Sequence, residues 1–250
     1  MALIHSFETS GNLLFKYRGQ IPVFIFLIGL PFIYFADYNC FTANLWIEPA
    51  LAVGGVCVSL AGILIRSITI GTTPKGTSGR NTQKQIAESL NTKGIYSIVR
   101  HPLYVGNYLM WAGLLFFAGN IAYFLVASLI YWLYYERIMY AEERFLEKKF
   151  GQIFTDWSMN VPAFIPAFSK FEKGEMRFSF KAVLRREYSG FFAMALCFMV
   201  VDLLRQYAIY HTIGWQRISV FSAAFFLIVM LLLRTLKHHT KCLDDSLTRD

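Results

Sequence analysis

Charged residues are scarce in this 250-residue chain. Asp, Glu, Lys and Arg make up 16% of it, apolar residues make up 56%, and the mean hydropathy is +0.43. Ordinary soluble domains carry about 25% charged residues. The shortage of charge excludes a soluble globular domain and predicts an all-α helical bundle that crosses a membrane several times.

The sequence also lacks the spacings that indicate a metal or redox centre. Its four cysteines are scattered and form no CxxC pattern: Cys40, Cys57, Cys197 and Cys242. Residues 1–20 lack the basic start, apolar core and cleavage site of a secretory signal peptide. The net charge of +8 is spread along loops, so it favours membrane topology and attraction to anionic lipid over nucleic-acid binding.

Long apolar runs, in contrast, are abundant, and they predict about six membrane segments. Four runs have lengths near the roughly 20 residues that a spanning helix needs: 21–36, 46–70, 189–204 and 218–233. Two shorter runs, 103–118 and 121–135, flank Gly119-Asn120, a dipeptide typical of tight turns. These two runs predict a helical hairpin that returns the chain to the side from which it started.

Lys and Arg residues indicate the orientation. They concentrate before the first run, between the second run and the hairpin, after the hairpin and at the C-terminus, with Arg217 as the exception. With six crossings these stretches share one side, which the positive-inside rule assigns to the cytoplasm. The sequence therefore predicts a multi-pass protein with both ends cytoplasmic.

Three parts are expected along the chain: a two-helix part (1–70), a core (71–168), and a polar linker with two more helices (169–250). The core begins with a stretch rich in Gly, Thr and Ser at 71–79, followed by a short amphipathic helix at 83–90. In the second run, Gly55, Ser59 and Gly62 form a small-residue pattern that suits close helix packing.

Two polar motifs flank the hairpin. The first reads Gly94-Ile-Tyr96, then Arg100-His101-Pro102-Leu103-Tyr104-Val-Gly106. Pro102 suits the first turn of a helix, whose free N–H groups are donors for a polar ligand. Taken singly, these aromatic residues are typical of an interfacial belt; the complete motif is more specific.

The second motif begins with Glu142-Glu143 on the expected continuation of the second hairpin helix. It continues with Arg144-Phe-Leu, then Phe150-Gly151, and closes on Val161-Pro162-x-x-x-Pro166. Neighbours on a helix point about 100° apart, so we expect one carboxylate to face inward and the other to meet Arg144, Lys148 or solvent. The alternative is a solvated charged helix held by pairs four residues apart.

Taken together, the order and spacing of these elements resemble the integral-membrane methyltransferases, over about residues 80–168. That group includes the isoprenylcysteine carboxyl methyltransferases and the phospholipid N-methyltransferases. The resemblance implies S-adenosylmethionine as cofactor and a lipid or lipidated acceptor in the bilayer. It also implies a cytoplasmic cofactor pocket: Leu90, Asn91, Tyr96, His101, Pro102, Leu103, Tyr104 and Glu142, with Glu142 on the cofactor's ammonium group.

The chain departs from the prenylcysteine enzymes at several positions. Their substrate-contacting arginine, one helical turn before the glutamate, corresponds to Ile138 here, with Arg137 beside it as a substitute. Phe154 and Trp157 stand where tyrosines are expected. These differences leave the acceptor open: a carboxylate needs no general base, whereas an amine must lose a proton.

Two alternatives remain at this stage. A sterol-type membrane reductase shares the first motif and the Val-Pro ending and uses NADPH, but Ala141-Glu142-Glu143 favours the methyltransferase. A non-catalytic membrane subunit is the second alternative. Outside the motifs, Asp202 and Arg205 lie three residues apart in the fifth run, and we expect them to pair near the outer interface.

Overall fold

The computed structural model describes residues 2–39, 44, 46–74 and 85–244. These residues form eight α-helices and, within the described part, no sheet. The helices are α1 (Leu3–Lys16), α2 (Ile21–Tyr34), α3 (Ile47–Gly71), α4 (Pro102–Ala118), α5 (Ile121–Phe150), α6 (Gln152–Asn160), α7 (Phe180–Tyr210) and α8 (Ile218–His239).

The predicted helical membrane bundle is confirmed, whereas the count of six membrane segments is not. Length and hydropathy qualify α3, α7 and α8 as spanning helices. A fourth span results if α1 and α2, which meet at a bend of 81°, are taken as one broken crossing. The apolar helix α4 has only 17 residues, or about 26 Å at 1.5 Å per residue. Helix α1 was not predicted, because polar residues interrupt its apolar pattern.

The hairpin formed by α4 and α5 is confirmed. Gly119 ends α4 with a φ of 75°, a conformation that glycine adopts without strain. The Asn120 side chain accepts a hydrogen bond from the Tyr123 N–H at 3.0 Å and so caps the first turn of α5. Because α5 continues for 30 residues, about 45 Å, its second half passes the start of α4 and carries the Glu142-Glu143 pair.

Helices α3 and α4 make the most extensive helix contact in the described structure, as the small residues of α3 predicted. A Cβ atom added at Gly62 would lie 2.5 Å from the Gly106 carbonyl oxygen, and one added at Gly113 would lie 2.3 Å from that of Gly55. The Ser59 hydroxyl donates to the Met110 carbonyl at 2.9 Å. The two backbones therefore touch along two helical turns.

Helix α1 lies against the second half of α5. At Gly11, an added Cβ atom would lie 2.1 Å from the Arg137 carbonyl oxygen and 2.8 Å from the Ala141 Cβ. Lys148 pairs with Glu8, and the Arg137 guanidinium covers the Phe7 ring at 3.6 Å. This contact fixes the end of α1, from which Phe15 and Arg18 reach the site described below.

Asp202 and Arg205 pair at 3.7 Å, as predicted, and belong to a larger buried cluster at the far end of the bundle. Glu48 accepts from Arg205 at 3.2 Å and from Arg217 at 2.8 Å. Arg217 also donates to Asp202 at 2.8 Å, and Arg205 donates to the Phe117 carbonyl at 2.6 Å. Arg217, the exception to the charge asymmetry, is thus neutralised by two carboxylates.

The prediction of a short helix at 83–90 is wrong over the residues that the structure describes, because residues 85–90 are not helical. So short a segment has little intrinsic helical stability, and its backbone serves a tertiary contact instead: the Ala87 carbonyl accepts from Lys149. Several sequence predictions lie outside the described residues: Cys40, the basic residues Lys75, Arg80 and Lys84, and most of the Gly-, Thr- and Ser-rich stretch.

Candidate functional site

A cavity of about 390 Å³ lies where the two polar motifs meet. Its walls come from the end of α1, the end of α3, the start of α4, the second half of α5, α6, the start of α7 and the loop 85–101. All eight residues predicted to hold a cofactor line it: Leu90, Asn91, Tyr96, His101, Pro102, Leu103, Tyr104 and Glu142. Ligand pockets have volumes of about 300–1,000 Å³, so the cavity can enclose a cofactor-sized molecule.

His101 is held between the two adjacent glutamates. Its Nε2 lies 2.8 Å from a Glu143 carboxylate oxygen, and its Nδ1 lies 3.5 Å from a Glu142 oxygen. The expectation that only one carboxylate faces inward is therefore wrong. Although the two side chains leave α5 in different directions, an imidazole has a nitrogen on each side and contacts both.

Glu143 is the more strongly paired of the two carboxylates. It forms an ion pair with Arg100 at 2.9 Å and accepts a hydrogen bond from His101 at 2.8 Å. Arg144 pairs with Glu147 and Lys148 with Glu8, so neither expected partner engages the Glu142-Glu143 pair. Glu142, with 31% of its side chain exposed, presents a carboxylate to the cavity.

The charges of this cluster stabilise one another. Burial lowers the pKa of His101, but hydrogen bonds to Glu142 and Glu143 outweigh burial and hold that pKa above its ordinary 6.5. Burial raises the pKa of Glu143, but His101 and Arg100 outweigh it and hold that pKa below its ordinary 4.5. The arrangement favours a protonated His101 beside an ionised Glu143.

The closing Val-Pro motif holds the loop that carries His101. The backbone N–H groups of Arg100 and His101 donate to the carbonyls of Pro162 and Ala163, at 2.9 and 3.2 Å. The Trp157 indole donates to the Tyr96 carbonyl at 3.2 Å. These contacts explain why the motifs before and after the hairpin occur together: each supplies the other's backbone partners.

Comparison with known proteins bears on the same region. Residues 49–153 match the family model described as phospholipid methyltransferase. Over this segment the chain is similar to the phospholipid methyltransferases. The segment contains nearly all of α3, the hairpin, the first motif and the second motif as far as Gly151, but neither α1 nor α7.

Curated relatives match the chain over part of their length. A protein-S-isoprenylcysteine O-methyltransferase of Schizosaccharomyces pombe is 36% identical over 77 residues, 31% of this chain and 33% of the relative. The cobalt-zinc-cadmium resistance protein CzcN of Cupriavidus metallidurans is 33% identical over 133 residues, 52% of this chain and 55% of the relative. Isoprenylcysteine O-methyltransferase B of Arabidopsis thaliana is 29% identical over 115 residues, 45% and 57% of the two chains.

This chain therefore spans between a third and somewhat over half of the length of these relatives. No solved structure matches it.

One wall of the cavity joins the family-matched segment, residues 49–153, to α7. Arg66 of α3 donates twice to Glu187 of α7, at 2.7 and 2.8 Å, and once to the Asn107 side chain at 2.5 Å. Asn107 in turn donates to the Tyr135 hydroxyl at 3.1 Å. Gly106 leaves space for the Arg66 side chain, because an added Cβ atom would lie 2.5 Å from the Arg66 Cγ.

Sequence reasoning missed Arg66 and Glu187, although both are charged residues near apolar runs. Charges at membrane depth are costly and commonly functional, and this signal marks Arg66, the sole charge among residues 49–74. Glu187 gave no such signal because it follows the basic pair Arg185-Arg186, which resembles an ordinary helix end.

Arg137 is the predicted site residue that the structure places elsewhere. It does not line the cavity; it covers Phe7 and donates to the Ser10 hydroxyl at 3.4 Å. Arg137 precedes Glu142 by five residues, which corresponds to about 140° around a helix. The two side chains therefore face different neighbours, and Arg137 holds α1 in place.

Proposed function

We propose that this cavity binds S-adenosylmethionine and that the chain transfers its methyl group to a lipophilic acceptor. The observation that carries the proposal is the meeting of both motifs at one cavity, with Glu142 and His101 on its wall. The family match and the names of the relatives support methyl transfer.

Glu142 is the residue that we assign to the cofactor's ammonium group. It lines the cavity, and its ion-pair contact to His101 is long, whereas Glu143 has two short contacts to cations. A ligand ammonium can therefore bind Glu142 without breaking a short ion pair. Bound S-adenosylmethionine supplies an electrophilic methyl group; the protein supplies position and shelter from water.

A carboxylate is the acceptor that the cavity suits best. An amine acceptor must lose a proton, and His101 has both ring nitrogens directed at glutamates, which raise its pKa and make it a poor general base. A carboxylate attacks without a base. The isoprenylcysteine O-methyltransferase names of two relatives are consistent with oxygen as the accepting atom.

The cytoplasmic position of the cavity is also part of the proposal. The basic residues that follow the hairpin lie on the cavity side of α5 and at the start of α7, where the positive-inside rule applies. We also propose that the chain divides into three parts, residues 1–70, 71–168 and 169–250. The third part contributes Arg186 and Glu187 to the wall of the cavity.

The first test is calorimetric binding of S-adenosylmethionine to the detergent-purified protein. We expect saturable binding that Glu142→Gln weakens at least tenfold, since a hydrogen bond to a charged group contributes about 1.5–3 kcal/mol. Glu147→Gln is the matched control, because Glu147 lies on the same helix and pairs with Arg144 outside the cavity.

NADPH is the competing ligand in the same experiment, because it is the cofactor of the reductase alternative. Saturable binding of NADPH without binding of S-adenosylmethionine would contradict the proposal. A Glu142→Gln protein that binds as tightly as the Glu147→Gln protein would remove Glu142 from the cofactor site.

The second test identifies the accepting atom with radiolabelled S-adenosylmethionine. N-acetyl-S-farnesylcysteine provides a lipophilic carboxylate, and phosphatidylethanolamine provides a lipid amine. We expect label in the carboxylate probe as a methyl ester that alkali releases as methanol. Alkali-stable label in the phospholipid would overturn the carboxylate assignment while retaining methyl transfer.

A further inference from the structure

The connection between α6 and α7, residues 161–179, exposes large apolar side chains outside the spanning helices. Phe168 and Phe171 are 75% and 62% exposed, Ile165 is 78% exposed, and Phe180, at the start of α7, is 74% exposed. Surface patches of this kind indicate an interaction site. The neighbouring helix α6 adds Met159, which is also exposed.

This segment has a fixed backbone and does not hang free. Ala167 donates to the Ile98 carbonyl, Gly94 donates to the Glu172 carbonyl, and Ser179 donates to the Gly71 carbonyl, each at 2.9 Å. Gly94 and Glu172 form an antiparallel bridge. The exposed phenylalanines are therefore held in place by the same loop that carries the cavity motif.

The ends of two spanning helices set the level of the segment. Ser179 bonds to Gly71, the last residue of α3, immediately before α7 begins. The Phe178 ring packs against Gly71, where an added Cβ atom would lie 2.4 Å from the ring. Because α3 and α7 qualify as membrane spans by length and hydropathy, the segment lies between the end of one candidate span and the start of another.

The charges of the segment match an anionic surface. Its exposed cations, together with one on the first turn of α7, are Lys170, Lys173, Arg177 and Lys181. The opposing acids are Glu172 and Glu175, and Glu175 is already paired with Lys93. Apolar side chains flanked by lysine and arginine are the composition of segments that lie in the membrane interface.

We propose that residues 165–181 form an in-plane anchor that inserts Phe168 and Phe171 into the headgroup region of an anionic leaflet. The lipid surface is the occupant, since the patch continues the apolar surface of α3 and α7. Because residues 162–163 bond to the backbone of Arg100 and His101, the anchor also sets the depth of the cavity in the bilayer. Neither the family match nor the cofactor assignment is needed for this inference.

The test measures depth with spin labels. In a variant with all four cysteines replaced by serine, a label is attached at Phe168→Cys or Phe171→Cys in nanodiscs with about 30% phosphatidylserine. We expect both labels to collide more with oxygen than with a water-soluble nickel complex, as a label at Phe225→Cys on α8 will. Asp156→Cys, exposed on α6, is the control that should favour the nickel complex.

Each outcome decides a part of the proposal. Labels at residues 168 and 171 that are as accessible to the nickel complex as the label at residue 156 would overturn the anchor. Replacing the four cations by glutamine should reduce the depth in anionic nanodiscs and leave it unchanged in phosphatidylcholine. If the labels lie at the same depth in both lipids, with and without this replacement, the proposal that the anchor selects an anionic leaflet is wrong. The surface positions keep the protein folded, which monodisperse elution will verify.

Discussion

At the scale of single residues, the central feature is an imidazole shared by two adjacent carboxylates. His101 is buried, yet it keeps a raised pKa because Glu142 and Glu143 lie on either side of it. Glu143 joins this histidine to Arg100, and Glu142 remains oriented towards the cavity. The two glutamates thus have different surroundings: one holds the loop to α5, and the other faces the cavity.

The pH dependence of stability provides a test of this arrangement. The folded-state pKa of His101 is raised above 6.5, so its contribution is complete below pH 6.5 and is lost as pH rises through the raised value. We expect the melting temperature of the wild type to exceed that of His101→Gln most near pH 6 and progressively less as the pH rises through the raised pKa of His101.

Glu143 affects the pH dependence of stability at low pH. Its pKa is lowered below 4.5, so its contribution is complete above pH 4.5 and is lost as pH falls through the lowered value. His238→Gln, at an exposed position of α8, is the control for replacing a histidine elsewhere in the chain. A constant difference between wild type and His101→Gln across the range would mean that His101 carries no stabilising charge.

At the scale of elements, the contact between α3 and α4 determines how closely the cavity walls approach. Gly55 and Gly62 of α3 face Gly113 and Gly106 of α4 at backbone contact. On each helix the two glycines are seven residues apart, about two helical turns, so both lie on the same face of that helix. The glycine that ends the Arg-His-Pro-x-Tyr-x-Gly motif belongs to this contact, which gives that position a packing role in addition to any role in binding.

The substitution Gly113→Ala should separate the two helices. The new methyl group would lie 2.3 Å from both the Gly55 carbonyl oxygen and the Ser59 hydroxyl, and a backbone atom cannot move aside alone. We expect a loss of about 1–3 kcal/mol, the usual cost of overpacking, measured as earlier thermal unfolding in detergent.

Gly190→Ala is the matched control on α7. Its added Cβ atom meets only the Glu187 carboxylate, at 3.8 Å, and alanine favours a helix over glycine by about 0.5–1 kcal/mol. We therefore expect no loss of stability at that position. Equal melting temperatures for the two variants would contradict the close backbone contact at Gly113.

At the scale of the whole molecule, α7 is attached to the family-matched segment, residues 49–153, at both of its ends. Glu187 pairs with Arg66 beside the cavity, and Arg205 donates to the Phe117 carbonyl at the opposite end. Since α7 and α8 lie outside residues 49–153, these contacts connect the C-terminal helices to the matched segment. The Arg66–Glu187 pair is also where α7 contacts the candidate site.

Breaking the pair at the cavity should cost more than replacing it. Glu187→Leu leaves the Arg66 guanidinium, buried at the wall, without its carboxylate, and we expect a loss of about 3–5 kcal/mol in stability. The double substitution Arg66→Met with Glu187→Leu removes both charges and should recover most of that loss. Thermal unfolding of the two variants checks this expectation, and a double variant as unstable as the single one would contradict it.

Much of the local structure was determined by the sequence alone. The scarcity of charge and the long apolar runs predicted a helical membrane protein, because a bilayer leaves backbone groups no partner outside a helix or a barrel. Gly119-Asn120 and Pro102 predicted where the hairpin helices end and begin, because these residues act on the backbone next to them. The two motifs predicted a group of neighbouring residues, and the cavity brings that group together; their role in holding a cofactor stays a prediction.

Only the tertiary structure decided how these parts meet. The placement of His101 between both glutamates depends on the angle of α5 to the loop that the Val-Pro motif holds, and spacing along one helix does not contain that angle. Arg137 lies outside the cavity because α1, which no apolar run predicted, packs on its side of α5. Likewise, Arg66 and Glu187 are 121 residues apart, and their pairing follows from the packing of α7 against α3.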